Sequence, residues 1–382
     1  MLSDFVPNAT HCSTAPGRVN LLGEHVDYND GIVLPAAIDR SVKLIARSRP
    51  DHLVTLRADN MGETVTFSLD RLIHKADVLG QPLPAWARYP AGVAWALQEK
   101  GVEVTGIQGA YNSNVPIGSG LSSSAAVEVA FAALWQELNG WSGSRMDLAR
   151  LCQRAENAYV GVNCGLMDQF ASANGVEGHA LYFDTRSLEF HPVPLPAGTV
   201  IVIADSGVRR TLTTSAYNDR RAACEQAVAL LKPHLPAIRA LRDVTPADFA
   251  RLSHYLPEVV ARRAQHIVEE CARMEEAGVV LEAGDAESFG RLMLAGHASL
   301  RDLYEVSCPE LDVLVDAARN LPGCFGARLT GAGFGGCTVN LVVENQAEAF
   351  IAELKRMYAE STRRQAEIYL CRASQGVEVE KI

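Results

Sequence analysis

The chain has 382 residues, of which 48% are hydrophobic and 21% charged, so its composition is that of a folded protein and not of a disordered one. At roughly 150 residues per domain, this length predicts two or three lobes with a cleft between them. The 35 basic and 45 acidic residues give a net charge of −10 without a basic tail, which argues against nucleic acid as a partner and leaves any anion site dependent on local backbone amides, a metal ion or a few Arg.

The first 60 residues are predicted to form strands of a mixed sheet. Apolar and polar positions alternate in Ser41–Ala46 and in Leu53–Leu56, and a turn is indicated at Asp30-Gly31.

Residues 17–29 (GRVNLLGEHVDYN) concentrate polar groups in a short, partly apolar run. Its charged and polar members include Arg18, Asn20, Glu24, His25 and Asp27. Charged groups this dense outside a helix need mutual pairing or a ligand. Carboxylates and imidazole also form the multiple hydrogen bonds that bind vicinal sugar hydroxyls. His25 alone would be interpreted as a structural histidine, but within this cluster a binding role is favoured.

A helix is predicted over Trp86–Lys100, with its regular part beginning near Pro90, and a strand over Ile107–Tyr111. A glycine-rich loop follows. The segment Ser123–Leu138 is then predicted to be a helix, because it consists mainly of Ala and other strong helix formers.

The loop at residues 116–126 (PIGSGLSSSAA) is the strongest indication of a phosphate site. Its small residues let backbone N–H groups point at an anion, and the following helix adds the positive end of its dipole. The pattern is not GxxxxGK[ST], since no Lys follows the glycines. The alternative is a simple turn before a helix. However, Ser122, Ser123 and Ser124 exceed what helix capping needs, and such hydroxyls can also contact phosphate or Mg²⁺.

Two acids follow in the next helical region. Glu156 lies on a helix predicted over Met146–Tyr159, and Asp168 opens another helix after a break at Gly165. Either acid is compatible with a solvated helix face. Asp168, however, stands in an apolar run, where an unpaired carboxylate is costly, so we expect it to have a partner.

The second half of the chain is predicted to begin with a strand and two long helices and to end as strand, helix and strand. In chain order these elements are Thr199–Asp205, Ser215–Leu231, Val259–Ala277, Thr338–Val343, Gln346–Tyr358 and Ala366–Cys371. A second glycine turn, at residues 330–336 (TGAGFGG), permits positive φ or a close approach of backbone to ligand. A tight hairpin or bulge is the alternative.

Nine cysteines are spread along the chain without a C-x-x-C pair, and the chain does not begin with a charged segment followed by an apolar one. We therefore expect reduced thiols in a cytoplasmic protein. The longest apolar stretches, such as Val200–Ala204, fall far short of the roughly 20 residues that cross a bilayer. A membrane is accordingly not an expected partner.

Together and in this order, the motifs resemble those of the galactokinases, within the superfamily of homoserine, mevalonate and phosphomevalonate kinases. Residues 17–29 are similar to the galactokinase signature, with conservative differences at Leu22 and Val26, and the SSS loop and TGAGFGGC are similar to the two glycine motifs of the superfamily. The resemblance spans nearly the whole chain. It implies transfer of the γ-phosphoryl group of MgATP to the C1 hydroxyl of galactose.

The resemblance also implies a role for each matching residue. Arg18 and Asp168 would lie at the reacting hydroxyl, and Ser124 and Glu156 would hold Mg²⁺. The residues around the sugar would be Glu24, His25, Asp27, Gly165 and Tyr217, the last within a Ser-x-Tyr-x-x-Arg-Arg pattern. The residues around the nucleotide would be Trp86 near the adenine, Gly118, Ser119, Gly120, Leu121, Ser122, Ser123 and Ser124 at the phosphates, and Gly331, Gly333 and Gly335 from the second domain.

The fold implied by the resemblance is α+β with two domains, an N-terminal domain like that of a ribosomal protein and a ferredoxin-like C-terminal domain, with the active site between them. We place the boundary near residue 190. Residues 1–190 would then carry the sugar motif and the serine loop, and residues 191–382 the second glycine motif. We further expect a monomer that binds galactose and ATP.

Phosphoryl transfer requires in-line positioning and charge stabilisation more than covalent chemistry. Backbone amides, Mg²⁺ and Arg18 would spread the charge of the transferring group. An ionised Asp168 beside Arg18 would be a weak proton acceptor, so we expect it mainly to orient the hydroxyl, with general base catalysis as the alternative.

Two other functions fit the same motifs. One is a kinase for a related sugar, such as N-acetylgalactosamine or arabinose, because the loops that set pocket depth are not readable from the sequence. The other is a non-catalytic galactose sensor, since some relatives bind sugar and nucleotide to signal to a partner. The complete GLSSSAA loop favours a kinase over a sensor.

Overall fold

The computed structural model describes residues 2–116, 118–209 and 213–382, which form an α+β fold. The strands are β1 (His11–Asn20), β2 (Ile32–Val33), β3 (Pro35–Arg49), β4 (Leu53–Ala58), β5 (Glu63–Ser68), β6 (Gly106–Ser113), β7 (His179–Asp184), β8 (Phe190–Pro194), β9 (Thr199–Asp205), β10 (Cys324–Thr330), β11 (Cys337–Val343), β12 (Glu367–Cys371) and β13 (Glu378–Lys381). The helices are α1 (Leu2–Phe5), α2 (Arg88–Glu99), α3 (Ser123–Asn139), α4 (Arg145–Arg154), α5 (Met167–Asn174), α6 (Thr213–Leu231), α7 (Pro246–Leu252), α8 (Glu258–Glu282), α9 (Ala286–Ser299), α10 (Pro309–Ala318) and α11 (Ala347–Thr362).

The first sheet has the strand order β13-β1-β3-β6-β4-β5 among the described residues. Its neighbours are antiparallel except for β4 and β6, which are parallel, so the sheet is mixed, as the sequence predicted. Helices α3 and α5 pack against β1, and α2 and α4 pack against α3. This packing brings the first residues of α3 and α5 to the end of β1.

The second sheet, β10-β11-β9-β12, is antiparallel, and β2-β7-β8 form a smaller one. Helix α9 packs on β10, and α10 packs on α11 beside the same sheet. The hairpin of β10 and β11 encloses the second glycine turn. The turn is thereby held at the edge of a rigid sheet.

The two halves of the chain share an apolar core. Val19 and Leu34 from the first half pack in one cluster with Ile201 and Leu341 from the second. The last strand, β13, also returns to pair with β1. The division near residue 190 stays a prediction.

Most predicted elements are present, with differences at their ends. The strand predicted over Thr199–Asp205 is β9, and the helix predicted from about Pro90 begins at Arg88. Pro90 lies in the first turn of α2, where its missing N–H costs no helical hydrogen bond. The helix predicted over Met146–Tyr159 is regular only to Arg154 and continues as a π-helical turn.

All nine cysteines are free thiols, as expected. Within the described ranges, every helix is too short or too polar to cross a membrane.

Candidate active site

Arg18 and Asp168 form a charge pair where β1 ends. Arg18 follows a bulge in that strand, and Asp168 is the second residue of α5. Arg18 Nε and Nη2 donate to Asp168 Oδ1 at 2.8 and 2.6 Å, and Nη1 donates to the carbonyl of Gly120 at 2.5 Å. Ser122 Oγ donates to Asp168 Oδ2 at 2.5 Å. Asp168 thus has charged and polar partners, and the pair joins the polar motif to the serine loop.

One cavity of about 390 Å³ brings together the residues expected around the sugar and the reacting hydroxyl. These are Arg18, Glu24, His25, Asp27, Gly165, Asp168 and Tyr217. The volume lies within the range of roughly 300–1,000 Å³ that is usual for small-molecule pockets. Gly331 and Ala332 complete the wall from the second glycine turn. Both halves of the chain therefore contribute to this cavity.

His25 is buried among aromatic rings. Its Nδ1 lies 2.9 Å from the hydroxyl of Tyr28, which lies 2.7 Å from the hydroxyl of Tyr304, and its ring centroid is 5.7 Å from that of Tyr217. Burial lowers the pKa of His25 to about 3. The imidazole is therefore neutral near pH 7. Because Nδ1 is bound to Tyr28, Nε2 is left to donate or accept one hydrogen bond with a hydroxyl of a ligand.

Gly165 allows the chain to pass directly beside Asp27. A Cβ added at Gly165 would collide with Asp27 Oδ2. Burial raises the pKa of Asp27 to about 6, and the nearby negative charge of Asp168 contributes to this rise. The predicted break before α5 thus contains a glycine because a side chain there would displace a carboxylate of the cavity.

Gly165→Ala is expected to raise the KM for the sugar by about tenfold or more, equivalent to ~1.4 kcal/mol, because the new methyl group must push Asp27 out of position. Steady-state kinetics with each substrate varied in turn would measure this effect, and the KM for ATP serves as the internal control. An unchanged sugar KM would contradict the expectation that Asp27 binds the sugar.

The serine loop leads directly into α3. Gly118 and Gly120 have positive φ angles of 71° and 83°, a region that is accessible to glycine without strain. Ser122 precedes α3 without capping it through its side chain. The first N–H groups of α3 therefore remain for a ligand, as the prediction of an anion site requires. Ile117, part of the predicted loop, lies outside the described residues.

The serine hydroxyls have different surroundings. Ser122 Oγ is bound to Asp168, and Ser119 is buried with its Oγ donating to the carbonyl of Pro116 at 2.8 Å. Ser123 and Ser124 line a second cavity. Ser122 thus connects the loop to the charge pair, whereas Ser124 faces Glu156.

Glu156 lies in the π-helical turn at the centre of an acidic cluster. Burial raises its pKa, and hydrogen bonds with Cys164 and Ser124 oppose that rise. Gln169 Nε2 donates to Glu156 Oε2 at 2.6 Å and to Glu128 Oε2 at 3.1 Å. Burial and the charge of Glu156 raise the pKa of Glu128 well above its ordinary value. Glu128 was not predicted as a site residue. It could have been, because a carboxylate within an apolar, alanine-rich helix needs a partner in the same way as Asp168 does.

The second cavity, of about 400 Å³, adjoins the serine loop and has an aromatic wall of Trp86, Tyr89 and Tyr111. Trp86 is buried, its Nε1 donates to Glu63 Oε2 at 2.6 Å, and its ring centroid lies 6.0 Å from that of Tyr111. Flat, apolar walls of this kind suit a planar base. Trp86 was expected near the adenine from the resemblance, whereas Tyr89 and Tyr111 were not predicted as site residues.

The two glycine motifs face each other across a third cleft. Gly331 has a φ of 85°, and a Cβ there would lie 3.3 Å from the carbonyl oxygen of Gly120. Gly333 has a φ of 79°, and a Cβ there would collide with the carbonyl of Val306. Both positions therefore exclude side chains, and the backbones approach closely.

Arg209 supplies positive charge at this cleft. Its Nη1 and Nη2 donate to Asp205 Oδ1 and Oδ2 at 2.8 and 2.5 Å, and its Nε lies 3.4 Å from the Cβ position of Gly118. Arg209 was not predicted as a site residue, because no motif surrounds it in the sequence.

Three family profiles match the chain. "GHMP kinases N terminal domain" matches residues 88–176, "Galactokinase galactose-binding signature" matches residues 4–48, and "GHMP kinases C terminal" matches residues 276–360. The first two contain the serine loop and the polar motif, and the third contains the second glycine turn.

The chain is similar over almost its whole length to curated proteins. It is 48% identical to a galactokinase of Roseiflexus sp. (strain RS-1), covering 95% of this chain and 91% of that protein, and 46% identical to one of Chloroflexus aurantiacus, covering 96% and 93%. The solved structure of Lactococcus lactis galactokinase complexed with galactose superimposes with a TM-score of 0.91 at 34% identity, covering 97% of this chain and 95% of that one.

Proposed function

We propose residue roles from the premise that this chain belongs to the galactokinases, a group within the GHMP kinases. It is an ATP-dependent sugar kinase that transfers the γ-phosphoryl group of ATP to the C1 hydroxyl of galactose, giving galactose 1-phosphate and ADP. The observation that best supports this reaction in the site itself is the junction of Arg18, Asp168 and Ser122, which stands between the sugar cavity and the serine loop.

Galactose would occupy the cavity of about 390 Å³. Glu24 and Asp27 would accept hydrogen bonds from its hydroxyls, and neutral His25 would add one donor or acceptor. Tyr217 and Gly165 would form the remaining contacts. A neutral sugar is compatible with this acidic wall, whereas an anionic substrate would be repelled.

The transferring phosphoryl group would pass between the serine loop and Asp168. Arg18 is positioned by two hydrogen bonds to Asp168 and one to Gly120, so its charge is fixed before the reaction begins. Preorganised charge of this kind stabilises the phosphoryl oxygens in the transition state without reorganisation. Asp168 Oδ2, which accepts from Ser122, retains a lone pair for the sugar hydroxyl.

ATP would lie with its base in the aromatic cavity of Trp86 and its phosphates at Gly118–Ser124. Gly331, Gly333 and Gly335 would close the cleft.

We further propose that Mg²⁺ is held by Ser124 and Glu156, whose hydroxyl and carboxylate oxygens are the ligands that this ion prefers. Bound there, the ion would neutralise phosphate charge. Ser124 and Glu156 would supply two oxygen ligands, and phosphate oxygens and water would supply the others.

We also propose that the enzyme is a cytoplasmic monomer. The free thiols support a reducing compartment, and a single chain supplies all the proposed ligands. Light scattering coupled to size-exclusion chromatography would test the oligomeric state.

A coupled assay of ADP release with galactose tests the function, and a panel of sugars identifies the substrate. We expect the highest kcat/KM for galactose, with N-acetylgalactosamine and arabinose lower. Binding of galactose without turnover would instead indicate a sensor. A higher kcat/KM for another sugar in the panel would overturn the assignment of galactose.

A further inference from the structure

Behind the sugar cavity lies a cluster of four charged side chains, of which three are buried and the fourth, Arg273, is 14% exposed. Glu24 follows β1, Arg328 lies on β10, and Glu270 and Arg273 lie on α8. Arg328, Glu24 and Glu270 are each at most 2% exposed. Charges removed from water to this extent must be compensated by one another.

Donors from both halves of the chain fix the Glu24 carboxylate. Arg328 Nη2 donates to Oε2 at 3.0 Å, Asn20 Nδ2 donates to the same oxygen at 3.2 Å, and the backbone N–H of Gly331 donates to Oε1 at 3.0 Å. Arg328 and Gly331 both belong to the hairpin that carries the second glycine turn. Because each carboxylate oxygen can accept about two hydrogen bonds, Oε1 keeps capacity for one more.

Glu270 competes with Glu24 for the same arginine. Its Oε1 lies 3.7 Å from Arg328 Nη1 and accepts the backbone N–H of Gly23 at 2.9 Å, and its Oε2 accepts from Arg273 Nε at 2.7 Å. Although burial raises the pKa of Glu270, the charges of Arg273 and Arg328 outweigh it and lower the pKa to about 2. Glu270 is therefore ionised near pH 7, and Arg328 lies between the carboxyl groups of Glu24 and Glu270.

The ionisation of Glu24 depends on this balance. Burial raises its pKa to about 7, against the attraction of Arg328 and Arg18. The charged and titratable groups around it are Arg18, His25, Asp27, His266, Glu270, Arg273 and Arg328. Burial lowers the pKa of His25 to about 3 and that of His266 to about 4, so both are neutral near pH 7. Between pH 6 and 8, Asp27 and Glu24 are the members of this set that change charge.

We propose that Arg328 is a positioning residue for galactose recognition, which holds Glu24 ionised and oriented so that its free acceptor meets a sugar hydroxyl. This role rests on the proposed function. It gives the second half of the chain a direct part in sugar binding, because the same hairpin carries the turn that closes on the serine loop. Arg328 itself does not line the cavity.

The sign of the effect follows from the charges. Ionised Glu24 accepts a hydrogen bond from the sugar, so galactose affinity should rise as the pH rises through about 7. Removing the positive charge of Arg328 raises the pKa of Glu24 and moves this rise to higher pH. Removing the negative charge of Glu270 lowers the pKa of Glu24 and moves the rise to lower pH.

The test compares Arg328→Met with Glu270→Gln by calorimetric titration of galactose into the full chain between pH 5.5 and 9. We expect the rise in galactose affinity to move by about one pH unit or more, to higher pH for Arg328→Met and to lower pH for Glu270→Gln. At pH 7, Arg328→Met should lower the affinity about fivefold. Arg328→Lys, which keeps the charge, should shift the profile less. Glu24→Gln should remove the rise in galactose affinity near pH 7 and leave the rise near pH 6 that comes from Asp27.

Opposite shifts would support the positioning role, because a merely structural defect lowers affinity equally at every pH. If Arg328→Met does not fold, Glu270→Gln still tests the proposal. A shift of its pH profile of galactose affinity to lower pH would support the role of Arg328, and an unshifted profile would contradict it. Unshifted profiles in an enzyme that phosphorylates galactose would overturn the role of Arg328 alone. Failure of the unmodified chain to bind galactose at any pH would overturn the proposed function instead.

Discussion

Asp168→Asn is expected to slow phosphoryl transfer in single-turnover experiments by at least about 10²-fold. Arg18 directs two donors at Oδ1, so the amide oxygen of the variant must take that position and the amide nitrogen must replace Oδ2. The hydrogen-bond acceptor that remains for the sugar hydroxyl in Asp168 then becomes a donor. Both roles considered for this residue, orientation and general base catalysis, need that acceptor.

The size of the loss separates the two roles. A loss near 10²-fold would indicate orientation, and one of about 10³-fold or more would indicate general base catalysis. A rate within tenfold of the unmodified enzyme would exclude a base role and would also contradict the orientation of the sugar hydroxyl by Asp168. Asp168→Asn preserves the shape of the side chain but leaves the buried charge of Arg18 without its carboxylate partner, so the free energy of unfolding must be measured for this variant as well. The affinity for ATP should change little and serves as the control.

Arg18→Ala is expected to lower kcat by about 10²- to 10³-fold, or ~3–4 kcal/mol in the transition state, with smaller changes in either KM. The guanidinium is nearly buried and is fixed by Asp168 and Gly120, so its charge is available without reorganisation. Steady-state kinetics with both substrates varied would measure the effect. An unchanged kcat would exclude Arg18 from the chemistry.

Arg18→Lys is the matched control. Lysine keeps the positive charge but cannot donate to Asp168 and Gly120 in the same fixed geometry. We expect its kcat to fall between those of Arg18→Ala and the unmodified enzyme. Since removing one partner of a buried pair destabilises the other, the free energy of unfolding must be measured for both variants. A kcat for Arg18→Lys as low as that for Arg18→Ala would assign the effect to geometry rather than to charge.

Sequence reasoning found the residues whose surroundings in the chain were anomalous. Asp168 in an apolar run needed a partner, and the structure supplies Arg18 and Ser122. Gly165 marked a break, and it lies where a side chain would collide with Asp27. Each of these residues conflicted with its local context, and the resemblance to the galactokinases implied a common site for them.

Other residues of the site carry no such local signal. Arg328 lies in an ordinary strand pattern and meets Glu24 only because β10 ends beside that carboxylate. Arg209 stands outside any motif, although its side chain reaches Gly118 across the cleft. The short strand β13 was missed for a similar reason, since a four-residue strand is stabilised by pairing with β1 and not by its own pattern.

The sequence by itself determined the main secondary structure, the two glycine motifs and the polar cluster at residues 17–29, because these depend on local periodicity, on the conformational freedom of glycine and on the cost of isolated charge. Only the tertiary structure decided which charges meet. It pairs Arg18 with Asp168 across 150 positions and Glu24 with Arg328 across 304. Electrostatic and hydrogen-bond energies depend on distances in space and on removal from water, and neither follows from spacing along a chain.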